Sequence, residues 1–463
     1  LNLKSEVCFN KDVALAHLTN PQLLIIFTTA PAGLGHLRVT DALQEGLPPD
    51  VHTFVLGASD PTLTYLHRLS SLNPIFRRLQ YFIQYHRAAE QIFTDFYRRS
   101  LRRHTDQTYL QLSTLLTTHQ PATKTAVVVA THFGLAHEIA AIKDQLQKET
   151  HVQILLVVVV TDDTFQKVWA VDGADIIAVP SQLTRKLLSA YFEEKRLPRP
   201  KITVIPYPVS PKFCPQSHSA QLGRKKQLDI NSRTATQILV PVSGAAVQLT
   251  YLESLIKHLC TCPEKPFHIS VVTKLAPFTK TFLTHIQTYP NLTVVTGGTD
   301  RQAVDLYEDL FFKDKLPSLE ITKPSEHTFK VLLEPRQAGG VLMLFTAPVG
   351  RHEIDNLAFL LRHGLIPNQA ETETLYTALL KDTPEFPATL TERATGWRGL
   401  ILPEGAQQSA RFIGNCRTLG VFTQMLKYRR SEDKELACNG VAQFWKKIDQ
   451  SLERLPARKG KTQ

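Results

Sequence analysis

Apolar positions along the chain fall into short runs of three to seven residues, many of them followed by a longer stretch with helical spacing. Residues 23–27, 51–56, 126–130, 154–160, 176–179 and 202–205 read as strands. Stretches 37–44, 137–148 and 183–194 read as helices between them. Strands apolar on both faces and alternating with helices predict a parallel, doubly wound sheet with both faces covered. The pattern lapses over residues 210–236, where Pro, Ser and a Lys/Arg cluster leave no apolar period, so a linker or surface loop is expected. A second cycle follows, with strands at 238–240, 269–272, 292–295, 319–321 and 341–345 and helices at 248–259 and 357–362. The expected architecture is α/β: two Rossmann-like, doubly wound domains facing each other across a cleft. The expected division is residues 1–213, a linker at 214–236, a second domain at 237–425, and residues 426–463 as a helix returning to the first domain with a basic tail.

In such sheets ligands sit beyond the carboxyl ends of the strands, so the polar residues just after strands carry the candidate chemistry. After the first strand come Gly33-Leu34-Gly35-His36. Glycines there allow close backbone approach, and a helix start favours a neutral imidazole able to accept a proton. A dinucleotide fingerprint is excluded, because Arg38 stands where the third glycine belongs. After residues 154–160 come Thr161-Asp162-Asp163, two carboxylates of which one can act as base or orient an acceptor hydroxyl; the alternative is that one caps the next helix. His132 follows the third strand; with His137 and Glu138 it does not make a metal-binding H-E-x-x-H, and no metal is expected. In the second cycle, Ser243-Gly244-Ala245-Ala246 suits a phosphate on backbone amides, and Glu353 and Asn356 share a helical face.

Taken in order, these residues resemble the family 28 glycosyltransferases, which include the monogalactosyldiacylglycerol synthases, the bacterial diacylglycerol glucosyltransferases and the N-acetylglucosaminyltransferase that makes lipid II. The likeness rests on Gly33-x-Gly35-His36, Val160-Thr161-Asp162, Trp169 with the run DIIAVPS from Asp175 to Ser181, Pro206 to Phe213, Thr322-Lys323-Pro324-Ser325 and Pro348 to Asn356. It implies the GT-B fold and inverting transfer of a sugar from a nucleotide-sugar, a UDP-sugar foremost, to a lipid acceptor hydroxyl, with no obligatory metal. His36 takes the place of the base and Asp162 supports the acceptor. Gly33, Gly35 and His132 lie on the acceptor side, and Ser243, Gly244, Lys323, Ser325, Glu353 and Asn356 on the donor side. The sequence departs from the family in its reduced glycine-rich donor loop, in His352, and in Val331 where the acid for the donor ribose is expected; Glu326 and Glu334 stand nearest. A nucleotide-sugar epimerase on the same fold, or a binding protein that has lost turnover, are the alternatives.

Charge narrows the partners. The 463 residues carry 53 Lys plus Arg against 42 Asp plus Glu, a net +11. Residues 68–104 hold eight arginines against Glu90 and Asp95, interleaved with Phe76, Tyr81, Phe82, Tyr85, Phe93, Phe96 and Tyr97. Such a segment suits an anionic membrane surface, with Arg98, Arg99, Arg102 and Arg103 on headgroups. No helix-turn-helix, zinc or RNA-binding signature accompanies the charge, so nucleic acid is not expected. Six cysteines are too few for a disulfide scaffold. No run approaches the roughly 20 apolar residues of a membrane span, and the expected place is cytoplasmic, peripheral to the inner face of the membrane.

Overall fold

The computed structural model describes residues 15–30, 34–57, 86–103, 105–214, 218–242, 246–261, 267–312, 316–335, 339–345, 350–429 and 431–455. The first half runs β1 (Leu23–Thr29), α1 (Leu34–Glu45), β2 (Thr53–Gly57), α2 (Arg87–Leu101), α3 (Asp106–Thr118), β3 (Thr125–Ala130), α4 (Phe133–Thr150), β4 (Gln153–Val159), β5 (Ile176–Val179), α5 (Gln182–Glu194) and β6 (Lys201–Val204). Its strands pair in parallel in the order β2-β1-β3-β4-β5-β6. The second half contains α6 (His218–Leu228), β7 (Thr236–Pro241), α7 (Leu249–Cys260), β8 (Phe267–Lys274), α8 (Pro277–Ile286), β9 (Leu292–Gly297), α9 (Asp300–Asp309), β10 (Leu319–Thr322), β11 (Val341–Leu344), α10 (Arg351–Arg362), α11 (Gln369–Leu379), β12 (Gly399–Ile401), α12 (Ala406–Thr418), α13 (Val421–Met425) and α14 (Gly440–Glu453). Here the order is β12-β11-β10-β7-β8-β9, again all parallel. Two doubly wound sheets, the GT-B arrangement, are thus present as the strand pattern predicts.

Strand periodicity explains how each sheet covers both faces. Along β4, Ile154, Leu156 and Val158 enter one core and Leu155, Val157 and Val159 another, because successive side chains point to opposite faces. The second of these cores continues into the other half, where Phe329, Leu342, Leu344 and Phe359 belong to the same packed cluster. Tyr207 and Phe329 stack across that junction with ring centroids 3.9 Å apart. Helix α14 closes the chain against the first sheet. The Trp445 ring N–H donates to the Leu43 carbonyl at 2.8 Å, and its indole meets Phe27 edge-on at 6.1 Å. Gly440 permits this docking, since a Cβ there would lie 2.1 Å from the Pro206 carbonyl oxygen.

Two sequence expectations change. The segment expected as loop contains α6, whose inward side chains are Arg224, Gln227 and Leu228, all buried. Gln227 donates to the Leu316 carbonyl at 3.1 Å and accepts from Ser318 at 2.7 Å, so a polar inner face held by hydrogen bonds replaces the apolar period. Helix α10 begins at Arg351 rather than at residue 357, which places Glu353 and Asn356 inside it. Residues 58–85, with most of the basic aromatic segment, lie outside the described residues, as do Gly33, Ser243, Gly244 and the tail from 456.

Candidate functional site

A topological switch point is where a doubly wound sheet opens a crevice, and each sheet here has one at a known pair of strands. In the first it lies between β1 and β3, in the second between β7 and β10. His36, in the first turn of α1, follows β1; Thr131 and His132 follow β3. The His36 Nδ1 donates to the Thr131 carbonyl oxygen at 2.7 Å, spanning the first switch point. A carbonyl only accepts, so the proton of the neutral ring is on Nδ1 and Nε2 keeps its lone pair. The Thr161 hydroxyl is 3.3 Å from the same nitrogen, and Thr40 donates from within α1 to the His36 carbonyl at 2.9 Å. Burial is the largest influence on this imidazole and pulls its pKa down to about 4; the Thr131 carbonyl and the Glu326 carboxylate push it up, and His352 lowers it. The helix start, the cause inferred from sequence, is thus not what dominates. His36 is therefore neutral at physiological pH.

The two carboxylates after β4 part company. Asp163 is buried and accepts from Ser181, the N-cap of α5, and from Thr184 at 2.8 Å, while Arg362 of α10 reaches it at 2.5 Å. It ties a helix start and the two halves together. Asp162 is half-buried and meets Asn356 of the other half instead. Burial lifts its carboxyl to about 6, against the lowering effect of His352 and of a 2.8 Å hydrogen bond from the Asn356 amide; Glu326 and Glu353 add to the rise.

On the other side of the cleft, Lys323 follows β10 at the second switch point and pairs with Glu353, which is buried in α10. Asn356, expected on the donor side, braces the two halves. Its amide nitrogen donates to Asp162 and, at 3.2 Å, to the Pro324 carbonyl, while its oxygen accepts the Asp163 backbone N–H at 2.9 Å. The side chain is fully buried. Ser325 is buried at the start of the 3-10 segment Glu326–Leu332.

Sequence reasoning missed three further contributors. Thr131 acts through its backbone, which no side-chain motif reveals. Arg38, which served only to exclude a dinucleotide fingerprint, reaches Glu326 across the cleft at 2.5 Å. His352 faces both His36 and Asp162 electrostatically. His132 is buried 5.1 Å ring to ring from His36, edge-on, and stacks on Phe133 at 4.7 Å. Neither of its ring nitrogens has a hydrogen-bond partner, and burial holds its pKa well below the usual histidine value. Among the described residues no cluster of His, Cys, Asp or Glu could hold a metal.

The arginines of α2 also divide. Arg98 is corrected from a headgroup contact to a core residue: it is buried and donates to the carbonyls of Lys167 and Ala170 at 2.6 and 2.8 Å. Arg102 is tied to Asp172. Arg99 and Arg103 are exposed, beside exposed Ile92, Phe93 and Phe96. No described helix is long and apolar enough to cross a membrane.

No protein-family model matches the chain, and no curated protein matches it by sequence. Solved structures resemble it in chain course. A UDP-GlcNAc 2-epimerase from Neisseria meningitidis bound to UDP-GlcNAc aligns over 94% of this chain and 100% of its own at 10% identity, with a TM-score of 0.43. A UDP-glucosyltransferase from Polygonum tinctorium capable of glucosylating indoxyl aligns over the same shares at 12% identity and a TM-score of 0.44. MurG from Acinetobacter baumannii does so at 12% identity and a TM-score of 0.42. None of these likenesses carries an activity to this chain.

Asn356 offers a direct check on the site. Its amide lowers the Asp162 pKa, so Asn356→Ala raises it, and any activity that needs ionised Asp162 loses its acid limb to a higher pH. The limb of kcat/KM against pH, expected at about 6 in the parent from the Asp162 carboxyl, is expected to move upward in the variant. A limb that stays in place would mean that Asp162 does not control it.

Proposed function

We propose that this protein is a glycosyltransferase that moves a sugar, with inversion, from a nucleotide-sugar to the hydroxyl of a lipid acceptor. The observation that carries the reading is the His36 imidazole: neutral, with its tautomer set by Thr131, at the switch point of one sheet and facing a cleft whose other wall brings Lys323 to the switch point of the second. In this mechanism the acceptor oxygen attacks the anomeric carbon as its proton passes to His36 Nε2. The bond from that carbon to the diphosphate oxygen breaks, and its electron pair leaves with the nucleoside diphosphate. Ionised Asp162 orients the acceptor hydroxyl. Lys323 and the N-terminus of α10 offset the charge that develops on the diphosphate, as a cation and a helix dipole do. The reading gives donor contacts to Ser243, Gly244, Lys323, Ser325 and Glu353, and the acceptor side to Gly33, Gly35 and His132.

A second reading is favoured by the number of carboxylates in the cleft. Glu326 and Glu353 both act electrostatically on Asp162, and Glu326 and His352 act on His36, an arrangement that also suits proton removal and return in a nucleotide-sugar epimerase. Product analysis by proton NMR separates the two. An inverted glycoside with free nucleoside diphosphate supports transfer, and an epimeric nucleotide-sugar with no acceptor consumed supports epimerisation.

The exposed face of α2 is the proposed contact with an anionic membrane, with Ile92, Phe93 and Phe96 in the interface and Arg99 and Arg103 on headgroups. Flotation with vesicles of acidic phospholipid tests it. Arg99→Gln/Arg103→Gln with Phe96→Ser is expected to lower the bound fraction severalfold, each basic residue near the surface being worth about 1 kcal/mol. An unchanged bound fraction removes the claim.

A further inference from the structure

Gly35, one residue before His36, has a use that no phosphate is needed to explain. A Cβ at this position would stand 3.1, 3.2 and 3.4 Å from the Cβ, Cγ and Cδ of Glu326. The missing side chain therefore lets the second half bring Glu326 against the first turn of α1. Arg38, three residues on and on the same face of the helix, holds the carboxylate at 2.5 Å. Its Nη1 is also 2.7 Å from His327 Nε2, and its guanidinium lies 4.7 Å from the centre of the Tyr307 ring. Behind them His327 Nδ1 is 3.0 Å from the Tyr307 hydroxyl, which donates to Glu320 at 3.1 Å. Glu326 is thus fixed between the halves by a network built from both.

We propose that Glu326 is a positioning residue supplied across the cleft, whose negative charge offsets the positive charge His36 acquires when it takes the acceptor proton. The proposal rests on the transferase reading of His36. Glu326 makes no hydrogen bond to the imidazole, whose Nδ1 is already held by Thr131, so it acts through space. The other groups the structure places against His36 are Thr131, His132 and Phe133 (6.4 Å) on the β3 side, Thr161 after β4, Trp169 at 6.3 Å, and His352 from α10. Of the charged groups that influence the His36 imidazole from the second half, Glu326 favours the protonated ring and His352 opposes it. Burial alone would raise the Glu326 pKa, but His327, Arg38 and Lys323 hold it down to about 2, so it is ionised whenever the base works. Because the carboxylate comes from the second half and the imidazole from the first, the base is complete only when the halves are together.

The competing explanation is that Arg38 and Glu326 merely clasp the halves, and exchanging the two charges separates the cases. Glu326→Gln is expected to lower kcat about tenfold, the ordinary effect of one nearby charge on a titrating group, with the donor KM little changed. Arg38→Glu/Glu326→Arg restores the pair and the melting temperature. It does not restore kcat, because a guanidinium now faces the imidazole. Recovery of kcat together with melting temperature would overturn the proposal. The readout that needs no turnover is the carbon-13 titration of the His36 ring, identified by the resonance lost in His36→Gln. Its midpoint, about 4 in the parent, falls in Glu326→Gln; an unmoved midpoint contradicts the proposal. Absence of turnover with every donor would count against the transferase reading alone, since the titration is read regardless.

Discussion

His36→Ala is expected to lower kcat by about 10²–10⁴-fold, the usual worth of a positioned general base, with the donor KM changed little. The expectation comes from three features of one ring. Its Nδ1 proton is committed to Thr131, leaving Nε2 as the accepting atom. Burial keeps the imidazole neutral above about pH 4, so all of it is available at pH 7. Its place at the β1/β3 switch point puts it in the crevice where a doubly wound sheet receives ligands. His36→Gln retains a polar group of similar length without a basic nitrogen, and a loss of the same size is expected. The measurement is steady-state transfer at pH 7.5, above the Asp162 limb near 6. Full activity in either variant would remove His36 as the base.

The largest expected effect on folding is at Lys330. Its ammonium is buried between the Glu320 carboxylate, the Tyr307 hydroxyl and the Phe311 ring, 4.4 Å from the ring centre. Burial alone would raise Glu320, but Lys330 and His327 hold it down to about 2, firmly ionised. Lys330→Met therefore leaves a buried charge without its main partner, which costs about 3–5 kcal/mol, or about 10 °C in melting temperature for a domain of this size. The sign of the pH dependence follows. With Lys330 present, the depressed pKa of Glu320 contributes stability above the ordinary carboxylate range and loses it as pH falls toward 2. Without Lys330, burial raises the pKa above its unfolded value, so the penalty grows with pH and eases as pH falls toward 5. Glu320→Gln/Lys330→Met is expected to recover most of the loss. Equal melting temperatures for Lys330→Met and the parent from pH 5 to 8 would contradict this account.

The alternation of apolar runs with helical spacing, read in sequence, places both sheets, because strands buried on both faces leave a signal that local composition alone carries. Residues 176–179 are predicted as they occur, and β1, β3, β4 and β7 differ at their ends by one or two residues. Helix α6 is illegible for the opposite reason: Arg224 and Gln227 are buried through hydrogen bonds, so its inner face has no hydrophobic period. Strand β12, three residues long, is too short to show a period at all. The candidate site divides in the same way. His36 and Asp162 stand out because polar residues directly after strands are visible in one dimension. Glu326 could be named only as a stand-in for a ribose ligand, since nothing in Lys323-Pro324-Ser325-Glu326 indicates that it crosses to Gly35 and Arg38. The family resemblance alone puts Asn356 on the donor side. Its actual partners, Asp162, Asp163 and Pro324, lie 32 to 194 residues away in the chain. Charge was the least local property of all. Arg98 and Arg99 are neighbours in sequence, yet the helix turns one into the core and the other to solvent.

The central claim is that the cleft between the two sheets takes a nucleotide-sugar. Calorimetric titration of the purified protein with uridine and guanosine diphosphates tests it without knowledge of the sugar or the acceptor. A saturable one-to-one isotherm is expected with one of the two nucleotides, weakened by Lys323→Ala and retained in His36→Ala. No heat of binding with either nucleotide, or binding that Lys323→Ala leaves untouched, would contradict it.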